Sequence, residues 1–243
     1  MSPRAAALAV RRLVVGHGQQ AVLTVDELVI PAGQWWALVG PNGCGKTTLL
    51  DTVAGRCPSL AGDIFIDGHS LKRAPKVARA ALGFVLTPEA LPPRLTLREC
   101  LDVFTAVHAR LEPAPAVATL LETWSLGPWI DTHVDRCSLG VRQKLGVLLA
   151  LVGAPRLLVM DESFNGLDPA SGLALKAFLD AAVSAGEFSV LLATHALDLV
   201  EQHADTALLI DQGRILARMD RDELRAHRGH LDQHLAGLQA PAR

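Results

Sequence analysis

The residues most able to do chemistry begin at Gly40. The run Gly40-Pro41-Asn42-Gly43-Cys44-Gly45-Lys46-Thr47 fits the pattern GxxxxGK[ST] and is followed by Thr48. It lies between a short apolar run, Gln34 to Val39, and a helix-spaced segment ending at Gly55. Glycines at these positions let backbone N–H groups converge on phosphate oxygens with no Cβ in the way. The start of the helix turns its positive end toward the same anion. Lys46 adds a full charge for the β- and γ-phosphates, and the Thr47 hydroxyl suits Mg²⁺.

A second group lies at Leu157-Leu-Val-Met-Asp161-Glu162, four apolar residues followed by two acids. In a parallel sheet the C-terminal strand ends form the ligand crevice, so both carboxylates emerge beside the glycine loop. Asp161 is then suited to hold Mg²⁺, and Glu162 to polarise an attacking water. Another apolar strand, Ser189 to Ala193, runs into Thr194 and His195, and His195 can donate a hydrogen bond to a γ-phosphate. Between these groups lies Cys137-Ser138-Leu139-Gly140-Val141-Arg142-Gln143-Lys144, in which Ser138 is a natural N-cap and opens an apolar helix through Val152.

The elements that must position these groups can be read in outline. Strands are expected at Ala7–Val10, Val22–Val25 and Leu28–Ile30, then at Gln34–Val39, Asp63–Gly68 and Leu82–Leu86. From Pro88 to about Gly127 the prolines cluster, and the two helical stretches there begin at Leu95 and Ala116. Strand Leu157–Met160, helix Ala170–Ala185, strand Ser189–Ala193, helix Leu197–His203, strand Thr206–Ile210 and a polar helix after Arg221 complete the series. Strands alternating with helices predict an α/β layer fold with a parallel sheet.

Composition narrows the function. The chain has 243 residues, is 50% hydrophobic and carries a net charge of −2, so bulk electrostatics give no reason to expect nucleic acid. With no Tyr and 4% aromatics it also lacks the material for a base-stacking surface. The longest uncharged apolar run, Leu145 to Ala154, is ten residues, whereas a spanning helix needs roughly 20. The first residues lack a signal-peptide apolar region, and the four cysteines are scattered without zinc spacing. A cytoplasmic protein with reduced thiols is expected.

Five segments in order give the chain a resemblance to the nucleotide-binding subunits of ABC transporters. GPNGCGKTT resembles Walker A, CSLGVRQ the LSGGQ signature, and LLVMDE Walker B with its catalytic Glu. Asn165-Gly-Leu-Asp168 resembles the D-loop, and His195 stands where the switch histidine does. SLGxRQK followed by NGLDP is most similar to exporters of the drug, antibiotic and peptide-immunity type. The resemblance implies a P-loop NTPase, RecA-like core with an N-terminal antiparallel β subdomain and a helical insertion. It implies one ATPase domain over 1–243, with β subdomain and core at 1–87 and 154–220. The helical subdomain with the signature helix then covers 88–153 and a C-terminal helix 221–243.

It further implies ATP and Mg²⁺ as cofactors, a second ATPase subunit in a head-to-tail homodimer, and a separately encoded integral membrane permease. Ser138 and Gly140 would then touch the γ-phosphate in trans, and Asp168 would communicate across the dimer. The helical insertion would dock a coupling helix of the membrane partner. The chain would sit peripherally on the cytoplasmic face, held by that partner. Three positions depart from the family pattern. Thr87 stands at the Q-loop glutamine, with Glu89 two residues on as the other candidate. His17 falls where an aromatic stacks on adenine, either in that role or as a solvated turn residue. Ser163 replaces the proline after the catalytic Glu. The competing functions are a soluble ABC-type ATPase acting on ribosome or DNA, and a P-loop kinase or GTPase switch.

Overall fold

A computed structural model describes residues 6–239. The outer ends of the expected segments, residues 1–5 and 240–243, lie outside the described residues. Strands β1 (Leu8–His17) and β2 (Gln20–Ile30) form a long antiparallel hairpin, which β4 (Ala61–Ile66) and the short β5 (His69–Ser70) extend. The three short strands expected here are two long ones, because the alternation continues through residues that point to solvent. Along β2, buried Leu23, Val25, Leu28 and Ile30 are interleaved with exposed Thr24, Asp26, Glu27 and Val29.

The second part of the sheet is built from β3 (Trp35–Val39), β6 (Leu82–Phe84), β7 (Leu157–Asp161), β8 (Ser189–Ala193) and β9 (Thr206–Asp211), all parallel. Every residue of β3 and β8 is buried, as strands covered on both faces require. An antiparallel strand, β10 (Arg214–Asp220), joins β9 to β2, giving the order β5-β4-β1-β2-β10-β9-β3-β8-β7-β6. The β10–β2 rung is the single pair Arg214↔Thr24. Sequence reading missed β10, whose alternation is broken by a register shift between Ile215 and Ala217. It also missed β5 and the helix α2 (Pro75–Ala80), both of a turn or less of buried content.

Helix α1 (Lys46–Val53) comes directly after the glycine loop. The proline-rich insertion holds α3 (Leu97–Val107) and α4 (Pro115–Thr123), each shorter than its apolar pattern. Thr96 and Glu99 close a capping box that fixes the start of α3. Then come α5 (Leu139–Leu151), α6 (Pro169–Ser184), α7 (Leu197–His203), α8 (Arg221–Ala226) and α9 (Leu231–Gln239). The single polar C-terminal helix is thus two, separated at Gly229, whose φ is +77°.

The sheet separates two large cores, and a third, smaller cluster joins Ala37, Val39 and Leu209 to Val200, Leu224 and Leu231 of the C-terminal helices. On one face α3 to α6 pack on Trp35, Leu158, Met160 and Leu192; on the other, α1 and the hairpin pack on Trp36, Leu38, Val159 and Leu191. Trp35 and Trp36 point to opposite faces and both are almost fully buried, so truncating either to Ala costs about 3–5 kcal/mol. Arg218 lies 4.6 Å over the Trp36 ring. The four cysteines are free, and burial pushes the Cys100 thiol up to about 11.

Candidate functional site

The strand order explains the meeting of distant segments. β3, β8, β7 and β6 are neighbours and run the same way, so the residues just past their C-terminal ends emerge along one edge: Gly40, His195, Asp161–Glu162 and Thr87. The glycine loop must turn there within a few residues. Gly45 has φ +104°, and a Cβ on it would sit 3.0 Å from the Leu23 side chain, so only glycine fits immediately before Lys46 begins α1.

Lys46 is 7% exposed, and its ammonium donates to the carbonyl oxygens of Gly40 at 2.6 Å and Pro41 at 2.9 Å. Pro41, Asn42, Gly43 and Thr47 are exposed, whereas Cys44 and Thr48 are buried. Thr48 Oγ1 lies 3.3 Å from Nε2 of the exposed His17, which closes the end of β1 over the loop.

Asp161 ends β7, and Glu162 adopts φ +48°, a left-handed conformation that costs a non-glycine residue on the order of 1–2 kcal/mol. Its amide donates to the Ala193 carbonyl at 2.9 Å, which holds the turn against β8. Its Oε1 is buried with no hydrogen-bond partner among the described residues and stands 3.5 Å from His195 Nε2. Asn165 Nδ2 donates to Oε2 at 3.4 Å. His195 Nε2 in turn donates to Asn42 Oδ1 at 2.8 Å, spanning from β8 to the glycine loop.

These groups enclose a cavity of about 280 Å³, lined by His17, Val22, loop residues from Asn42 to Thr48, Asp161, Glu162 and His195. No residue of the signature segment lines it. The site fits a nucleotide with Mg²⁺ on its own chemistry. A buried cation and open glycine backbone meet an anion, and the metal-facing groups are a hydroxyl and a carboxylate rather than nitrogen or sulfur. A carboxylate oxygen without a partner is left for water. On the far side of the two acids a second cavity of about 250 Å³ is lined by Thr87, Glu89, Leu139, Gln143 and Asn165 together with Asp161 and Glu162. Thr87 and Glu89 are both exposed there.

The signature segment forms the start of α5. Ser138 Oγ accepts from the Val141 amide at 3.3 Å, capping the helix. Ser138 and Leu139 are exposed, whereas Val141 and Gln143 face the interior. Gln143 donates to the Ser163 carbonyl at 3.0 Å, so its side chain ties α5 to the acidic turn and does not reach outward. Arg142 Nε is buried without a partner among the described residues. Gly140 approaches the Gly166 carbonyl so closely that a Cβ would lie 3.3 Å from it. Asp168 caps α6 through the Ser171 amide at 2.9 Å and hydroxyl at 2.6 Å, and pairs with Lys144 at 3.2 Å. Those bonds hold its carboxyl far below the usual carboxylate range. Sequence reading gave Lys144 no role, and nothing in its local pattern signals one.

A family model described as ABC transporter matches residues 23–165, which is more than half of the chain. The chain belongs to the ABC transporter family. It is an ATP-binding domain of that family, and three similar proteins illustrate how far the likeness extends. A lantibiotic transport ATP-binding protein, SrtF of Streptococcus pyogenes, is 29% identical over 215 residues, covering 88% of this chain and 91% of SrtF. Nod factor export ATP-binding protein I of Paraburkholderia xenovorans is 32% identical over 218 residues, covering 87% and 70%. A solved ATP-binding subunit of an ABC transporter superposes with a TM-score of 0.86 at 29% identity, covering 96% of this chain and all of that one. The ABC domain's mixed sheet with antiparallel N-terminal strands agrees with the fold expected from sequence.

Proposed function

We propose that this chain is the ATP-hydrolysing subunit of an ABC exporter and drives a separate membrane permease from the cytoplasmic face. One observation carries the reading. Lys46, Asp161, Glu162 and His195 line a single cavity, while the capped start of α5 stands outside it on the same chain's surface. A second copy, facing head to tail, brings its Ser138 and Gly140 to the exposed side of the nucleotide. Leu139, 49% exposed, flanks them at that junction. The export relatives named above, and the absence of any described helix long and apolar enough to cross a membrane, support a division of labour with a permease.

In this mechanism Lys46 and the loop amides of Gly43 to Thr48 hold the β- and γ-phosphates. Thr47 and Asp161 are the residues that hold Mg²⁺, which when bound neutralises charge developing between those phosphates. Glu162 accepts the proton of a water as its oxygen bonds to the γ-phosphorus and the bond to the β-phosphate bridging oxygen breaks, giving ADP and phosphate. His195 leaves Asn42 and donates Nε2–H to the γ-phosphate. His17 meets the adenine side of the site, and Asp168 sits at the dimer seam. Thr87, lining the second cavity, takes the Q-loop position facing the permease, with Glu89 as the other candidate for that contact. Residues 88–153 supply the docking side of the domain.

The test is sizing of the Glu162→Gln variant with Mg²⁺ and ATP. A shift from monomer to dimer, absent with ADP and absent in Lys46→Ala, is the expected result. A monomer at saturating ATP, or a wild-type chain with no hydrolysis in the presence or absence of its permease, overturns the reading.

A further inference from the structure

The start of α5 and the turn carrying Glu162 touch at four points within one chain. Leu139 packs on Gly166, where a Cβ would lie 3.3 Å from its side chain, and Gly140 faces the Gly166 carbonyl. Gln143 holds the Ser163 carbonyl. Lys144 holds Asp168. Lys144 is the unusual member. Its side chain is only 12% exposed and its ammonium ends on Asp168, whose own side chain is 54% exposed. Asp168 does not need it to cap α6, because the Ser171 amide and hydroxyl already bond the two carboxylate oxygens. A long side chain withdrawn from water to reach a carboxylate that is already bonded does something other than cap a helix.

We infer that Lys144 is a positioning residue for hydrolysis, locking the first turns of α5 to the Ser163–Asp168 loop and through it to Glu162. From Asp168 the loop runs back to Asn165, whose amide donates to the Glu162 carbonyl at 3.0 Å and whose side chain reaches Glu162 Oε2 at 3.4 Å. Glu162 is held in a left-handed conformation at the head of this loop, so a small displacement of the loop re-aims its carboxylate. Contact of the exposed Ser138 turn with a nucleotide on a second copy therefore bears on this chain's own general base. The inference rests on the proposed dimer for its functional meaning, and on the single chain for its geometry.

The experiment uses Lys144→Met and Lys144→Arg in the full chain, with two readouts. In the nucleotide-free protein, amide hydrogen exchange at 165–168 accelerates in Lys144→Met and returns to the wild-type rate in Lys144→Arg, which also restores any loss of melting temperature. In ATP hydrolysis, Lys144→Met lowers kcat between about two- and thirtyfold. Its equilibrium ATP affinity, measured in the Glu162→Gln background, stays at the wild-type value, and Arg restores kcat. Wild-type exchange and kcat in Lys144→Met overturn the inference, as does a loss of ATP affinity equal to the loss of kcat. A lowered melting temperature in Lys144→Met that Arg does not restore assigns Lys144 to packing and also overturns it. Lys144→Gln repeats the comparison if Met fails to fold. A wild-type chain without ATP hydrolysis contradicts the proposed function instead, and the exchange readout then decides Lys144 alone.

Discussion

Lys46 Nζ donates to the Gly40 carbonyl oxygen at 2.6 Å, bending the one buried lysine of the glycine loop back onto the loop's own first residue. A second N–H goes to Pro41 at 2.9 Å, and the third meets only the Cys44 sulfur at 3.9 Å. An ammonium has three donors, so one is free for a phosphate while the other two hold the loop's shape. Lys46→Ala therefore removes both a charge-assisted contact and a loop brace. ATP affinity is expected to fall at least about tenfold, measured by equilibrium titration of nucleotide. Wild-type affinity in that variant counts against the assignment.

Glu162→Gln keeps the size and the Asn165 contact but removes the basic oxygen. Turnover is expected to fall by about 10²–10⁴, the contribution of a positioned general base, with ATP affinity unchanged. Steady-state phosphate release and nucleotide titration separate the two effects. Undiminished turnover would show that the orphan Oε1 is not the proton acceptor.

Asp168→Asn removes the charge and one of the two acceptor oxygens while keeping a residue that caps a helix about as well as aspartate. The folded-state pKa of Asp168 lies far below its ordinary 3.8, chiefly through the Ser171 hydroxyl and amide and then through Lys144. A depressed carboxylate stabilises the fold above its unfolded pKa and loses that contribution as pH falls through the folded value. Urea unfolding is thus expected to find Asp168→Asn less stable than wild type at neutral pH, with the gap closing below about pH 3.8. A gap that is constant with pH would contradict this.

Gln143→Leu leaves the Ser163 carbonyl without its donor in a site where Gln143 is 5% exposed. A lost buried partner costs about 1–3 kcal/mol, which denaturant titration resolves. Unchanged stability would mean that the carbonyl finds another donor.

Most of the catalytic edge was legible because local chemistry fixes it. GxxxxGK[ST] needs its glycines, and an apolar strand ending in two acids can only expose them at the rim. Strand Ser189–Ala193 and helix Leu197–His203 were read to the residue, since their boundaries coincide with sharp changes of polarity. The direction of the Gln143 side chain was not legible. A helix start can present its residues outward or inward, and only packing against the 163–168 turn decides which. The long hairpin was shortened for the opposite reason, since its outward residues look like loop to a hydrophobicity pattern. Lys144 pairs with a residue 24 positions away, and no local rule reports such a pair.

The meeting of β2 and β10 at one rung, Arg214↔Thr24, has a mechanical consequence. A ladder resists shear through its many hydrogen bonds, and here the line between β2 and β10 carries one rung, with the Thr24 amide donating to the Gly213 carbonyl at 2.9 Å. The ten described strands divide into a leaf of four and a plate of six, joined by this one rung, by the connector 31–34 and by side-chain packing. His17 rides at the tip of the leaf and the glycine loop springs from the plate, so tilting one against the other opens or narrows the gap between them while the backbone ladders of both stay whole.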